Sequence, residues 1–188
     1  MKKVLLLGDS IRMSYQPLVQ EILATEAEVV GPAENCQYSL YSLTRLAHWL
    51  GELGTPAIVH WNNGLHDVGH NPKRAPVQMP LEVYKGNIAL ILQQLLDLEA
   101  QVIWATMTPV HPQRPFVDTG WAWHNAEIER YNEAALEVME EQEITVNDLH
   151  TLVGGDYERY LAADQLHLSD AGKEACAEAV ANKIRTFL

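Results

Sequence analysis

The sequence predicts an α/β protein, a three-layer α/β/α sandwich around a five-stranded parallel sheet. Three observations predict it. Five short apolar, β-rich runs are spread along the chain, and helical patterns separate them. The runs are continuously apolar rather than alternating, as strands buried on both faces of a parallel sheet are. Strands alternating with helices imply right-handed crossovers, which place helices on both faces of the sheet. At 188 residues, a single domain over 1–188 is expected. A chain of that size buries roughly 70% of the surface its unfolded form exposes, enough for a full core without disulfides or metal.

The first run, 3–7 (KVLLL), ends in Gly8-Asp9-Ser10. It mimics the opening of a secretion signal. Its apolar stretch is too short, however, runs into Asp9 and has no small-residue cleavage site, so it reads as strand 1 and a cytoplasmic protein is expected. The remaining strand runs are 27–31 (AEVVG), 57–62 (AIVHWN), 101–106 (QVIWAT) and 143–147 (EITVN). Over 81–98, Leu81, Tyr84, Ile88, Ile91, Leu95 and Leu98 recur at three or four residues and form one apolar helix face. Ile128, Tyr131, Ala135 and Met139 do the same over 124–141. The last helix opens on Ser169-Asp170, a good N-cap and first-turn pair.

Two connections are longer than the fold needs. Residues 66–80 carry Pro72, Pro76 and Pro80. Residues 107–123 carry Pro109, Pro112 and Pro115, then Trp121 and Trp123. Loops this long in a compact domain usually serve function. Both follow strands, and an open parallel sheet binds ligands outside the carboxyl ends of its strands. Both loops should therefore overhang one crevice. Trp121 and Trp123 would either stack on a sugar ring or acyl chain there or pack the loop onto the body.

Composition excludes several functions. The net charge is −12, from 13 basic and 25 acidic residues, with no Lys/Arg cluster, so no nucleic-acid partner is expected. No apolar run approaches the length of a membrane span, so no membrane partner is expected either. Cys36 and Cys176 fit neither a metal-ligand spacing nor a disulfide framework and read as two buried free thiols. His66 and His70 stand four apart, but Gly64, Gly69 and Pro72 argue against a helix there, and no third ligand suggests itself. No metal and no cofactor are expected.

Ser10, at the carboxyl end of strand 1, is well placed for a nucleophile. Gly8 allows a tight turn, and the next helix points its N-terminal N–H groups at the site. The plainer reading is that Asp9 and Ser10 cap that helix. A serine nucleophile needs a base, and the base an orienting partner. Asp164-Gln165-Leu166-His167 supplies both if the carboxylate reaches the imidazole Nδ1 and leaves Nε2 for the serine. Asp67-Val68-Gly69-His70 is a second Asp-x-x-His. The C-terminal copy is preferred because it directly precedes a capped helix after strand 5. His48, His111, His124 and His150 read as structural or solvated.

Gly-Asp-Ser after strand 1 and Asp-x-x-His before the last helix together resemble the SGNH (GDSL-type) hydrolase superfamily over essentially the whole chain. The resemblance implies a flavodoxin-like sheet in order 2-1-3-4-5 and ester hydrolysis of a small-molecule substrate, with Ser10 as nucleophile, His167 as base and Asp164 as its orienter. Two blocks depart from the superfamily's pattern. After strand 2, where a glycine N–H usually helps bind the oxyanion, the chain reads Gly31-Pro32-Ala33-Glu34-Asn35-Cys36, with Asn35 or Cys36 nearest that position. After strand 3, where Gly-x-Asn-Asp is usual, it reads Asn62-Asn63-Gly64-Leu65-His66-Asp67, so His66 replaces the asparagine donor. The Asn-x-Gly run and residues 8–18 also resemble the PC-esterase branch, which points to Asn62. Asn63 is a further candidate. Arg12, just beyond Ser10, would either salt-bridge across the first helix or touch substrate. The expected activity is hydrolysis of short acyl esters, such as acetate on a carbohydrate. Acyl transfer by the same triad, and an inactive carbohydrate-binding protein on the same fold, are the alternatives.

Overall fold

The computed structural model describes residues 1–70, 77–114, 116 and 120–188. Pro72, Pro76 and Pro115 lie outside the described residues. Five parallel strands form one sheet in order β2-β1-β3-β4-β5. They are β1 (Lys2–Leu7), β2 (Ala27–Val30), β3 (Ile58–Trp61), β4 (Gln101–Ala105) and β5 (Thr145–Asn147). The apolar runs form strands because both faces are covered: Val4, Leu5, Leu6 and Val59 have no exposed surface. On one face lie α1 (Ser10–Ile22) and α8 (Asp170–Arg185), packed on each other; on the other lie α2 (Ser39–Leu53), α4 (Leu81–Leu96) and α5 (Asn125–Glu141), packed in that order. Short helices α3 (Leu65–Val68), α6 (Leu149–Gly154) and α7 (Tyr157–Tyr160) sit in the connections.

The strands pair in parallel register through the sheet centre. Trp61 and Trp104 are register partners, and their rings meet edge to face with centroids 4.7 Å apart. Several element ends differ from expectation. The fifth strand starts at Thr145 rather than at 143, because Glu143 has φ 52° and belongs to the turn leaving α5. Similarly, α4 stops at Leu96 rather than at 98, since Glu99 has φ 59°. His124 is the N-cap of α5 rather than its first residue.

The two long connections meet. His70 N–H donates to Ala122 O (2.9 Å) and Ala122 N–H to His70 O (3.1 Å), an isolated antiparallel bridge. Trp123 Nε1 donates to Leu65 O (2.7 Å), and its ring lies 6.3 Å from that of Trp121 at 22°. Trp121 also sits against Gly69. The pair thus packs the β4 connection onto the β3 connection, the structural one of the two readings. Cys36 and Cys176 are buried and unbridged. Among the described residues, no helix is long and apolar enough to cross a membrane.

Candidate active site

Strand β1 delivers Ser10 to the carboxyl edge of the sheet through Gly8. That residue has φ +155°, and a Cβ there would lie 2.0 Å from Asn62 Oδ1 and 2.7 Å from Arg12 Cβ. Only glycine fits this crossing of β1, β3 and α1. Asp9 is the N-cap of α1, its carboxylate accepting from Ile11 N–H at 2.9 Å. The capping reading thus holds for Asp9. Ser10 opens the helix, and its hydroxyl points elsewhere.

It points to the other end of the chain. Ser10 Oγ is 3.0 Å from His167 Nε2, across a sequence separation of 157. The two ends meet because α8 packs on α1. Between Asp164 and His167 the chain turns back through Gln165, held at φ 71° with its carbonyl accepting from His111 N–H. The turn folds Asp164 against the imidazole. Asp164 Oδ1 accepts from the N–H groups of Leu166 (3.2 Å) and His167 (2.9 Å), and Oδ2 lies 2.5 Å from His167 Nδ1. Partial burial pushes the Asp164 carboxyl up. The hydrogen bonds from the His167 ring and from the two backbone N–H groups outweigh this and hold it below the usual carboxylate range. An ionised carboxylate only accepts, so Nδ1 carries the imidazole proton and the Nε2 lone pair faces the serine hydroxyl. The other Asp-x-x-His is not a pair. Asp67 accepts from Ser39 N–H and Oγ, while His70 meets Glu127 and His124.

Three of the expected oxyanion residues lie around this turn, with different engagements. Asn35 Nδ2 is 3.4 Å from His66 Nε2, so these two stand together. The amide NH₂ is the donor, which leaves the His66 proton on Nδ1. Asn62 is buried under Gly8. Its Oδ1 has no hydrogen-bond partner among the described residues. Two alternatives are removed. Asn63 accepts from Trp61 Nε1 (2.7 Å) and donates to Gln37 O (2.9 Å), so its side chain is a structural tie. Cys36 N–H donates to Gly8 O at 3.1 Å and is not free for an oxyanion.

Arg12 follows neither sequence reading. It is buried, and its guanidinium donates to the carbonyls of Gly8, Pro32 and Glu34 and to Gln16 Oε1. It braces the segment after β2 that carries Asn35. Glu34 grips the same segment from the other side, accepting from Tyr41 Oη (2.6 Å), Trp49 Nε1 (2.7 Å) and Arg45 (3.0 Å). No sequence signal marked Glu34 or Gln165, because their partners come from other elements. His60, also unmarked, is wholly buried in β3 and accepts from Asn147 Nδ2 at 3.1 Å. His48, His111 and His150 are engaged by Glu52, Glu158 and Met107 O, as structural or solvated histidines would be. Beside the Asp164–His167 loop, Val110, His111, Pro112, Phe116, Trp123 and Asn125 line part of a cleft of about 340 Å³.

The fold and these contacts can be set beside known proteins. No curated protein matches the chain by sequence. Among solved structures, it is similar to the acetyl xylan esterase AlAXEase, with a TM-score of 0.80, 19% identity, and coverage of 97% of this chain and 99% of that one. A lipase/acylhydrolase from Enterococcus faecalis superposes with a TM-score of 0.79 at 21% identity, over 100% of this chain and 97% of that one. Axe2, an acetylxylan esterase from Geobacillus stearothermophilus, does so with a TM-score of 0.80 at 18% identity, over 97% and 94%. At such identities these likenesses establish the fold, here the flavodoxin-like order 2-1-3-4-5. The sequence itself goes further, since the model of the GDSL-like lipase/acylhydrolase family matches residues 6–175. That span takes in the Gly-Asp-Ser turn after β1 and the Asp-x-x-His turn before α8, and so the chain belongs to the GDSL-like lipase/acylhydrolase family and is a carboxylic ester hydrolase.

Proposed function

We propose that this enzyme hydrolyses short acyl esters, acetate on a carbohydrate above all, through a Ser10-His167-Asp164 triad and an acyl-enzyme. The observation that carries the reading is the 3.0 Å contact of Ser10 Oγ with an imidazole whose other nitrogen is held by Asp164. Ser10 Oγ attacks the ester carbonyl while His167 Nε2 takes its proton. Asp164 fixes the tautomer and stabilises the imidazolium. Donors among the Ser10 and Asn35 N–H groups, Asn62 and His66 receive the developing oxyanion. His167 then protonates the leaving alcohol, and water, activated by the same imidazole, releases the acid. The His167 and Asp164 side chains remain 42% and 45% exposed, which gives water an open path and favours hydrolysis over acyl transfer. The acetyl-sugar preference is supported by the likeness to two acetyl xylan esterases and by the aromatic cleft beside the His167 loop.

The test is release of acetate from acetylated xylan and from p-nitrophenyl acetate. Ser10→Ala and His167→Ala are expected to lower kcat by about 10⁴–10⁶-fold, and Asp164→Asn by about 10⁴-fold. A fluorophosphonate should label Ser10 and no other serine. Full activity in Ser10→Ala, or an unlabelled Ser10, would refute the nucleophile. Activity on p-nitrophenyl acetate without release from acetylated sugars would refute the substrate alone.

A further inference from the structure

His70, His124 and Glu127 bring three metal-ligating atoms within 4.8 Å of one another, at the place where the two long connections cross. They come from two segments of the chain. His70 ends the turn after α3 and is bridged to Ala122. His124 is the N-cap of α5, with no cap hydrogen bond from its side chain, and Glu127 stands one turn on, its N–H accepted by His124 O. The i, i+3 spacing puts the His124 and Glu127 side chains on one flank of the helix start. His70 Nε2 already contacts Glu127 Oε2, and the His70 and His124 rings lie 5.4 Å apart at 65°.

We propose that these three side chains bind one Zn²⁺ ion, which clips the β3 connection to the start of α5 beside the active-site crevice. Two imidazoles and one carboxylate form a set that suits Zn²⁺, with water in the fourth tetrahedral position. The same set disfavours Mg²⁺ and Ca²⁺, which seek oxygen ligands. Metal–ligand bonds of about 2.0–2.2 Å require the donors to close in slightly from their present spacing. Glu127 is part-buried and His124 is exposed, so His124 is free to swing inwards. On binding, the ion takes the place of the proton on His70 Nε2, and the neutral imidazole carries its one proton on Nδ1. The chain's net charge of −12 further favours a cation. His66 takes no part, since it is engaged by Asn35. The site stands apart from the ester chemistry: no step of hydrolysis passes through the ion.

The experiment uses the full chain stripped with a chelator, then titrated with ZnCl₂ in a calorimeter and by thermal unfolding. One Zn²⁺ per chain is expected, with a Tm that climbs with the logarithm of zinc concentration. Co²⁺ in place of zinc should give the visible bands of a tetrahedral N/O site. His124→Ala, at an exposed position, should fold as the wild type and lose the isotherm. His70→Ala should lose it too, and Glu127→Gln should weaken it at least about tenfold. His167→Gln should bind zinc unchanged, which separates this site from the triad. No binding overturns the proposal. So does binding that survives both histidine variants, vanishes in His167→Gln, or is matched by MgCl₂. None of these readouts depends on ester hydrolysis, so failure here and failure of the triad are told apart.

Discussion

An oxyanion forming on a carbonyl attacked by Ser10 Oγ needs N–H donors that nothing else in the protein has engaged. That criterion sorts the candidates around Gly8. The Cys36 N–H is engaged by Gly8 O, the Asn63 amide by Gln37 O, and Asn35 Nδ2 by His66. The Asn62 side chain lies directly under Gly8, the residue that leads into Ser10, and its Oδ1 is without a partner among the described residues. Asn62→Ala is therefore expected to lower kcat by about 10²–10³-fold with little change in KM. His66→Ala should lose less, because its Nε2 serves Asn35 and its effect is partly one of position. Steady-state kinetics on p-nitrophenyl acetate check both, and an Asn62→Ala enzyme of wild-type kcat would refute the assignment. Candidate donors for this site were legible in the sequence; which of their N–H groups are free was not. Whether an N–H is free depends on partners such as Gly8 and Gln37, which the fold alone brings near.

At the scale of elements, what was legible follows from burial. Continuously apolar runs became strands because both faces of the sheet are covered, and the periodic segments became α4, α5 and α8 with Ser169 as a cap. What was not legible is how the segment after β2 is held. Arg12 reaches back from α1 to three carbonyls, and Glu34 reaches into α2; neither contact has a sequence spacing that marks it. The hydrogen bonds from Tyr41, Trp49 and Arg45 pull the Glu34 carboxyl down to about 2, so it stays ionised and accepting. Arg12 is 1% exposed and faces carbonyls rather than a carboxylate among the described residues. Its planar fork is what lets one side chain serve several acceptors. A lysine ammonium at that position cannot reach all three carbonyls, and buried carbonyls left unpaired are costly. Arg12→Lys should therefore lower unfolding free energy by about 2–3 kcal/mol in urea titrations. A loss under about 0.5 kcal/mol would show that the carbonyls find other donors.

Closing the whole sandwich seals two titratable groups of opposite character inside it. Burial drives the His60 imidazole down to about 3, so it stays neutral in the folded protein. Burial also drives the Asp67 carboxyl up to about 7, against the hydrogen bonds from Ser39. Their effects on stability have opposite signs. His60 takes up a proton more readily when unfolded, so the stability it contributes is present above about pH 6.5 and is lost as pH falls. Asp67 holds its proton more tightly when folded, so its contribution is present at acid pH and is lost as pH rises towards 7. Between about pH 4.5 and 6.5 both slopes operate, each near 1.4 kcal/mol per pH unit, and they oppose one another. The His60 and Asp67 contributions should accordingly nearly cancel in the wild-type protein across that window. Asp67→Asn removes one slope and leaves the other. Its unfolding free energy should climb with pH by about 1.4 kcal/mol per unit from 4.5 to 6.5, then level off. Urea titrations at half-unit pH steps read this directly, and parallel profiles for the two proteins would mean that Asp67 is already ionised in the folded state at pH 4.5.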